Sequence, residues 1–314
     1  MMSILSVADL KLFMAMGLAS KIIYPAIGIT GSLLSTFVIT TYTKFKSLQT
    51  PTNTFLISLT VADLCMSLYL VVARFIGSIK DDMLFKVIYC FLFSLHGVAL
   101  ASTITTILVI ALHRAAAIVY PVNFKIMFSF KRCCIIVTVV WLACIVVIGT
   151  ICMYYTTSVE SSKLRNLVTT SDIYPELIVL IFIQIYPYSC VILSCLVYGM
   201  IFCSLAKKRN SVHPNPNLNA NQGSSNNQST ESNRNSKVSL TSAILVVFLI
   251  CWLPLTLYLS IASEAYVKSP NGRLVYMITI MLLHINAIIN VYVFAHFSSA
   301  FRAKMVMMLR CRHE

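Results

Sequence analysis

The chain has 314 residues, of which 58% are hydrophobic and 11% charged, far from the roughly 25% charged residues of soluble domains. That balance excludes an ordinary soluble enzyme fold. Eleven cysteines, all in or beside apolar stretches, exclude a disulfide-stapled soluble domain. The net charge of +14 would suit nucleic acid, but its distribution along the chain points to a membrane instead.

Seven apolar stretches, uncharged but for Asp63 in the second, occupy about 22–43, 54–73, 87–112, 133–157, 177–206, 238–263 and 274–300. A run of about 20 apolar residues crosses the hydrocarbon as a helix, because lipid offers no water to satisfy backbone polar groups. The chain is thus read as all-α, a polytopic seven-transmembrane bundle. Residues 1–21 form an extracellular N-terminus with no basic start and small-residue cleavage site, so the first span serves as an uncleaved insertion signal. With that terminus outside, 15 Lys and Arg lie on the inner side and 9 on the outer, while seven acids lie outside and two inside. This is the positive-inside pattern, and it places a basic face in the cytosol, where it suits anionic lipid head groups and acidic partners.

Only Asp63, in the second span, puts a carboxylate inside the bilayer. At about 1.5 Å per residue it lies roughly 15 Å above Asn53 at the inner boundary. Thr103 in the third span is eleven residues above Arg114, and Asn290 in the seventh is twelve above Arg302. Asp63, Thr103, Asn286 and Asn290 are therefore expected in one polar layer. A buried carboxylate demands pairing, hydration or protonation. A sodium ion held by Asp63 and neighbouring oxygens is favoured over a protonated Asp63 bonded to Asn290.

One layer further out, His96 and His284 stand at matched depth, with Trp252 of the sixth span nearby. These three are expected to line a ligand cavity. The competing view is two unrelated histidines, each bonded to its own neighbour. Cys90, at the outer end of the third span, is where a bridge to the outer loop is expected. The loop after the fourth span has no cysteine, which leaves Cys152 as a weak partner.

The inner loop 210–236 is mostly Asn, Ser, Gln and Pro and is expected to be disordered. After the seventh span, residues 301–314 form an amphipathic helix on the inner surface and a short tail. Cys311 in that tail is a candidate for palmitoylation, weighed evenly against a plain thiol. No catalytic constellation appears: no metalloprotease helix, no phosphate loop, no nucleophile elbow and no second buried acid. Interrupted helices at matching places in two halves, a transporter feature, are absent too, since Pro187 and Pro254 have no counterpart in the first half.

Several motifs, in order, resemble those of rhodopsin-like (class A) G-protein-coupled receptors. His113-Arg114-Ala115 through Tyr120-Pro121 resembles the Asp-Arg-Tyr end of their third helix. Phe248 with Cys251-Trp252-Leu253-Pro254 resembles F-x-x-C-W-x-P, and Leu59 to Asp63 resembles L-A-x-A-D. Trp141, Pro187 and Asn290 through Phe294 resemble the fourth-helix tryptophan, the fifth-helix proline and N-P-x-x-Y. The detail leans toward opsins, but their retinal-binding lysine is His284 here, which cannot form a Schiff base. The aspartate that binds biogenic amines is His96. Ser35 replaces the first-helix asparagine, and Cys195 the fifth-helix tyrosine. Beside Arg114 the usual Asp and Tyr are His113 and Ala115, so the ion pair that restrains the arginine is lost.

The resemblance implies a plasma-membrane receptor that binds an extracellular ligand in the bundle and activates a heterotrimeric G protein. Arg114, Phe248, Pro254 and Phe294 would form the switch, and no cofactor beyond sodium is expected. The alternatives are an opsin relative binding retinal non-covalently, a transporter, and a receptor-like protein that does not couple.

Overall fold

A computed structural model describes residues 7–76, 79–120, 124, 126–160, 177–211, 224–262, 266 and 269–310, with side chains given in these ranges except 7–20, 155–156, 177–184, 205–211 and 224–239. Among them every regular element is helical. Helix α1 is Val7–Lys44, α2 Pro51–Ile76 and α3 Asp82–Val119. Helix α4 runs as Phe130–Cys144, a π-helical turn Ile145–Gly149, and Thr150–Ser158. Then come α5 Leu177–Ser211, α6 Ser224–Ile261, α7 Pro270–Phe297 and the short α8 Ser299–Leu309. Seven of these are long and apolar enough to cross a membrane.

The helices outrun the apolar stretches. α1 begins at Val7, so helix covers most of residues 1–21. α6 begins at Ser224, which makes the second half of the expected disordered loop 210–236 helical, while 212–223 lie outside the described residues. Reading spans between charged residues finds the hydrocarbon, but backbone hydrogen bonding continues past it until a cap or proline intervenes. Asp81 is such a cap: its carboxylate accepts from the amides of Met83 and Leu84 at 2.8 and 3.0 Å and opens α3 five residues early. Ser269, followed by Pro270, opens α7 by accepting from Gly272 at 3.0 Å. α7 ends at Phe297, short of the expected 300, and Ser298 caps α8. Cys311 lies outside the described residues.

Apolar side chains point both ways. Phe55, Leu59, Ile104, Ile107, Ile244, Phe248, Trp252, Phe294 and Phe301 form the core, while Ile22, Leu33, Phe75, Phe91, Ile135, Val146 and Ile250 face outward. α4 is the most peripheral span, with little of it buried. Lipid tails solvate leucine as well as a protein core does, so helices associate by close packing of small residues and by polar contacts. Gly28 and Gly31 supply the first between α1 and α2. A Cβ on Gly28 would stand 2.7 Å from Val71 Cγ2, and one on Gly31 would stand 2.5 Å from Ser67 Oγ. Ser58 supplies the second: Trp141 Nε1 donates to its hydroxyl at 3.0 Å, and that hydroxyl meets Thr106 at 3.4 Å. α2, α3 and α4 are pinned at one level by this contact.

Candidate functional site

Helices α2, α3 and α7 bring a column of polar side chains together inside an otherwise apolar bundle. At its middle, Asn290 Nδ2 donates to Asp63 Oδ2 at 2.8 Å, and both residues are 1% exposed. Asn286 lies beside the same carboxyl group. The residue four before Asn290 shares its helix face, which is why α7 presents two amides to one acid. Thr103 is buried on α3. Among the described residues, Asp63 Oδ1, Thr103 Oγ1, Asn286 Oδ1 and Asn290 Oδ1 have no hydrogen-bond partner. Asp63, Asn286 and Asn290 thus gather around one carboxyl group, while Thr103 is a separate buried hydroxyl on α3.

Toward the end of the bundle that carries the α3 N-terminus, His96 and His284 stack with ring centroids 5.7 Å apart and planes at 23°. Tyr69 of α2 packs on His96 at 4.4 Å. His284 Nδ1 contacts the Ile280 carbonyl at 2.9 Å, a geometry that calls for a proton on that nitrogen and leaves Nε2 as an acceptor. Nε2 of each histidine is buried and unpartnered among the described residues. Among those residues no cluster of three His, Cys, Asp or Glu forms around them. Trp252 is fully buried, stacked on Phe248 at 5.6 Å and edge-on to Tyr188 at 5.7 Å. Two residues on, Pro254 withholds an amide from the carbonyl one turn earlier, which permits α6 to bend at the indole.

At the opposite, basic end, Arg114 is 6% exposed, and its Nε and Nη2 lack partners among the described residues. No carboxylate of those residues adjoins it. His113 is instead enclosed by Phe55, Phe124 and Phe128, with ring centroids at 5.3, 4.9 and 4.8 Å. Tyr198 of α5 interacts with Arg114. It lies three residues past Cys195, within one turn but on the buried side of the helix. Cys195, the position matched to the family tyrosine, is exposed to the bundle exterior. Phe294 is buried against Phe301 at 6.4 Å, joining α7 to α8. Ser35, where the family has asparagine, is wholly buried with its hydroxyl unpartnered among the described residues.

Cys90 Sγ, at the position where a bridge was expected, lies 3.1 Å from Met153 Sδ of α4.

Four residues of this arrangement escape a linear reading: Tyr69, Phe124, Phe128 and Tyr198. Tyr69 and Tyr198 meet partners on another helix, and Phe124 and Phe128 fold back on His113 from the segment after α3. Only for Tyr198 was there a signal, its one-turn offset from Cys195.

The described residues form a bundle with seven helices long and apolar enough to cross a membrane and a buried polar layer among α2, α3 and α7. Residues 35–292 match the model of the seven-transmembrane receptor (rhodopsin) family, and the chain belongs to that family. It is a multi-pass membrane receptor and not an enzyme. It is 23% identical over 318 residues to the thyrotropin-releasing hormone receptor of Mus musculus, covering 93% of this chain and 78% of that one. It is 30% identical over 134 residues to the pyroglutamylated RF-amide peptide receptor of Rattus norvegicus, covering 42% and 30%. It is 24% identical over 323 residues to the 5-hydroxytryptamine receptor 2 of Aplysia californica, covering 91% and 74%. None of these three is an opsin, so the opsin lean rests on its sequence motifs alone.

Proposed function

We propose that this receptor sits in the plasma membrane with its N-terminus outside and its basic face in the cytosol, binds a peptide among His96, Trp252 and His284, and activates a heterotrimeric G protein. The observations that support this are the buried polar pairs that cross between helices, the stacked His96 and His284 and the Asn290–Asp63 bond. Orientation follows from the surplus of Lys and Arg on one side. The peptide class draws on the hormone and peptide receptors among the relatives. An amine is disfavoured despite the 5-hydroxytryptamine relative, because a cationic amine needs a carboxylate where this chain has His96. Two imidazole nitrogens without partners suit the amide and carboxyl groups of a peptide instead.

Ligand acts only through its differential affinity for two states of the bundle. Contact with His284 and Trp252 biases the bend at Pro254, which moves the inner end of α6 and exposes Arg114 to the G protein. The sodium ion fits the same scheme. Asp63, Thr103, Asn286 and Asn290 would hold it, and its charge would steady the resting packing of α2, α3 and α7.

Screening a pool of short amidated peptides and monoamines by G-protein dissociation tests the reading. A peptide hit whose potency falls at least tenfold in His96→Ala and His284→Ala, at equal surface expression, supports it. A hit indifferent to both substitutions, or an amine hit, overturns the assigned site.

A further inference from the structure

Beyond the histidine pair, toward the end of the bundle that carries the α3 N-terminus, the polar contacts continue to an arginine. Tyr69, whose ring packs on His96 at 4.4 Å, also interacts with Arg74, five residues further along α2. Arg74 stands two residues before the end of that helix and is half-buried. Its guanidinium carbon lies 4.4 Å from the centre of the Tyr24 ring on α1, a cation–π contact. Tyr24 is only 4% exposed, and its hydroxyl donates to the Met277 carbonyl of α7 at 3.3 Å. The arginine is therefore turned inward, onto the seam where α1, α2 and α7 meet. A side chain that snorkels to lipid head groups would turn the other way.

A guanidinium keeps its charge at any physiological pH, and a charge within a span calls for a partner. Among the described residues the electrostatic partners of Arg74 are the phenols of Tyr24 and Tyr69, with no acid. Asp81, seven residues on, caps α3 through the amides of Met83 and Leu84. Aromatic faces attract the cation, but the planar fork of N–H groups fits a carboxylate. Depth sets the spacing. Arg74 is five residues beyond Tyr69, and Met277 is seven residues outward of His284. The arginine thus lies about 8–10 Å beyond the histidines. An extended peptide covers that distance in about two or three residues.

We propose that Arg74 receives a carboxylate of the peptide whose other polar groups meet His96 and His284, an assignment that rests on the peptide site proposed above. The receptor then takes an acidic peptide. Its carboxylate, on an Asp or Glu side chain or a free C-terminus, stands about two or three residues from the group at the histidines. Tyr24 steadies the guanidinium from the α1 side, and Tyr69 joins it to His96. Two anchors on one wall of the bundle read the distance between an anion and a hydrogen-bonding group, which selects among peptides of similar composition.

The test uses the full chain in phosphatidylcholine nanodiscs and a pool of random tetrapeptides. The pool is made with free C-termini, with C-terminal amides, and as amides with every Asp and Glu replaced by Asn and Gln. Retained peptides are read by mass spectrometry, which needs no G protein and exposes both faces of the receptor. Carboxylate-bearing members should be retained over their neutral isosteres by about tenfold or more, the affinity equivalent of one hydrogen bond to a charged group. In Arg74→Gln that preference should vanish while neutral isosteres are retained as in wild type. Arg74→Lys should keep part of it, and Arg74→Glu should turn it toward Lys- and Arg-bearing members. His96→Ala should lower acidic and neutral members alike and leave their ratio unchanged. If Arg74 instead pairs with Asp172, Glu176 or Glu264, whose side chains lie outside the described residues, Arg74→Gln would lower acidic and neutral members equally, and the proposal falls. Wild-type retention without acid preference, or a preference that survives Arg74→Gln, overturns it too and leaves the peptide site at the histidines standing. Retention of no peptide by wild type overturns that site and the proposal together.

Discussion

At the scale of single residues, Asp63 stands out because it is a carboxylate inside a membrane span, with one oxygen bonded to Asn290 and the other without a partner among the described residues. Removing Asn290's amide would leave that carboxyl without its 2.8 Å donor, at a cost of about 1.5–3 kcal/mol for a hydrogen bond to a charged group. Asn290→Ala should lower the thermal midpoint in detergent, and adding Asp63→Asn should restore part of the loss. The sodium assignment has its own readout. Wild type should gain thermal stability in sodium chloride over choline chloride, and Asp63→Asn should lose that difference. An equal response in both proteins would remove sodium from the site. Asp63 was legible because a lone acid in an apolar run has no structural excuse, and helix rise brought Thr103, Asn286 and Asn290 to its depth. The ring of Phe55, Phe124 and Phe128 around His113 was not legible. Phenylalanine in an apolar chain carries no marker of which side chain it will face.

Elements of this protein are set by two different rules. Span positions follow from apolar length, so all seven were legible; helix ends follow from caps and backbone bonding, so they were not. The π turn Ile145–Gly149 in α4 likewise left no trace in the composition of its stretch. The α1–α2 contact shows what holds elements together in lipid. Gly28 is met by Val71 and by the Ser67 carbonyl at 2.7 and 2.8 Å from where a Cβ would stand, whereas no described residue lies within 4 Å at Gly199 of α5. Gly28→Leu should therefore force the helices apart, with an overpacking cost of about 1–3 kcal/mol, and reduce surface expression and the thermal midpoint. Gly199→Leu should leave both near wild type. Equal behaviour of the two variants would show that the close approach does not hold α1 to α2.

For the whole molecule, a basic face and a polar column together describe a device that joins two compartments. The column's departures from the family pattern cluster at its basic end. His113 sits in an aromatic ring instead of holding an acid for Arg114, and Tyr198 approaches the arginine from a position one turn beyond the exposed Cys195. An arginine without a carboxylate partner among the described residues is held in the resting state by less, so the equilibrium between states should lie closer to the active one, as a difference in free energy between two packings. Receptor identity was legible from motifs spread over six spans. The route by which Arg114 is positioned was not, because Tyr198 stands three residues from the matched position, on the buried side of α5 where Cys195 is exposed.

The central claim is that Arg114 is the output of this column. It is tested by G-protein dissociation in cells across all Gα classes, first without ligand and then with the peptide pool, comparing wild type with Arg114→Ala at matched surface expression. The account predicts basal dissociation in the wild type that rises with an active peptide and disappears in Arg114→Ala. Dissociation that persists unchanged in Arg114→Ala would contradict it, as would wild-type silence under both conditions at confirmed surface expression.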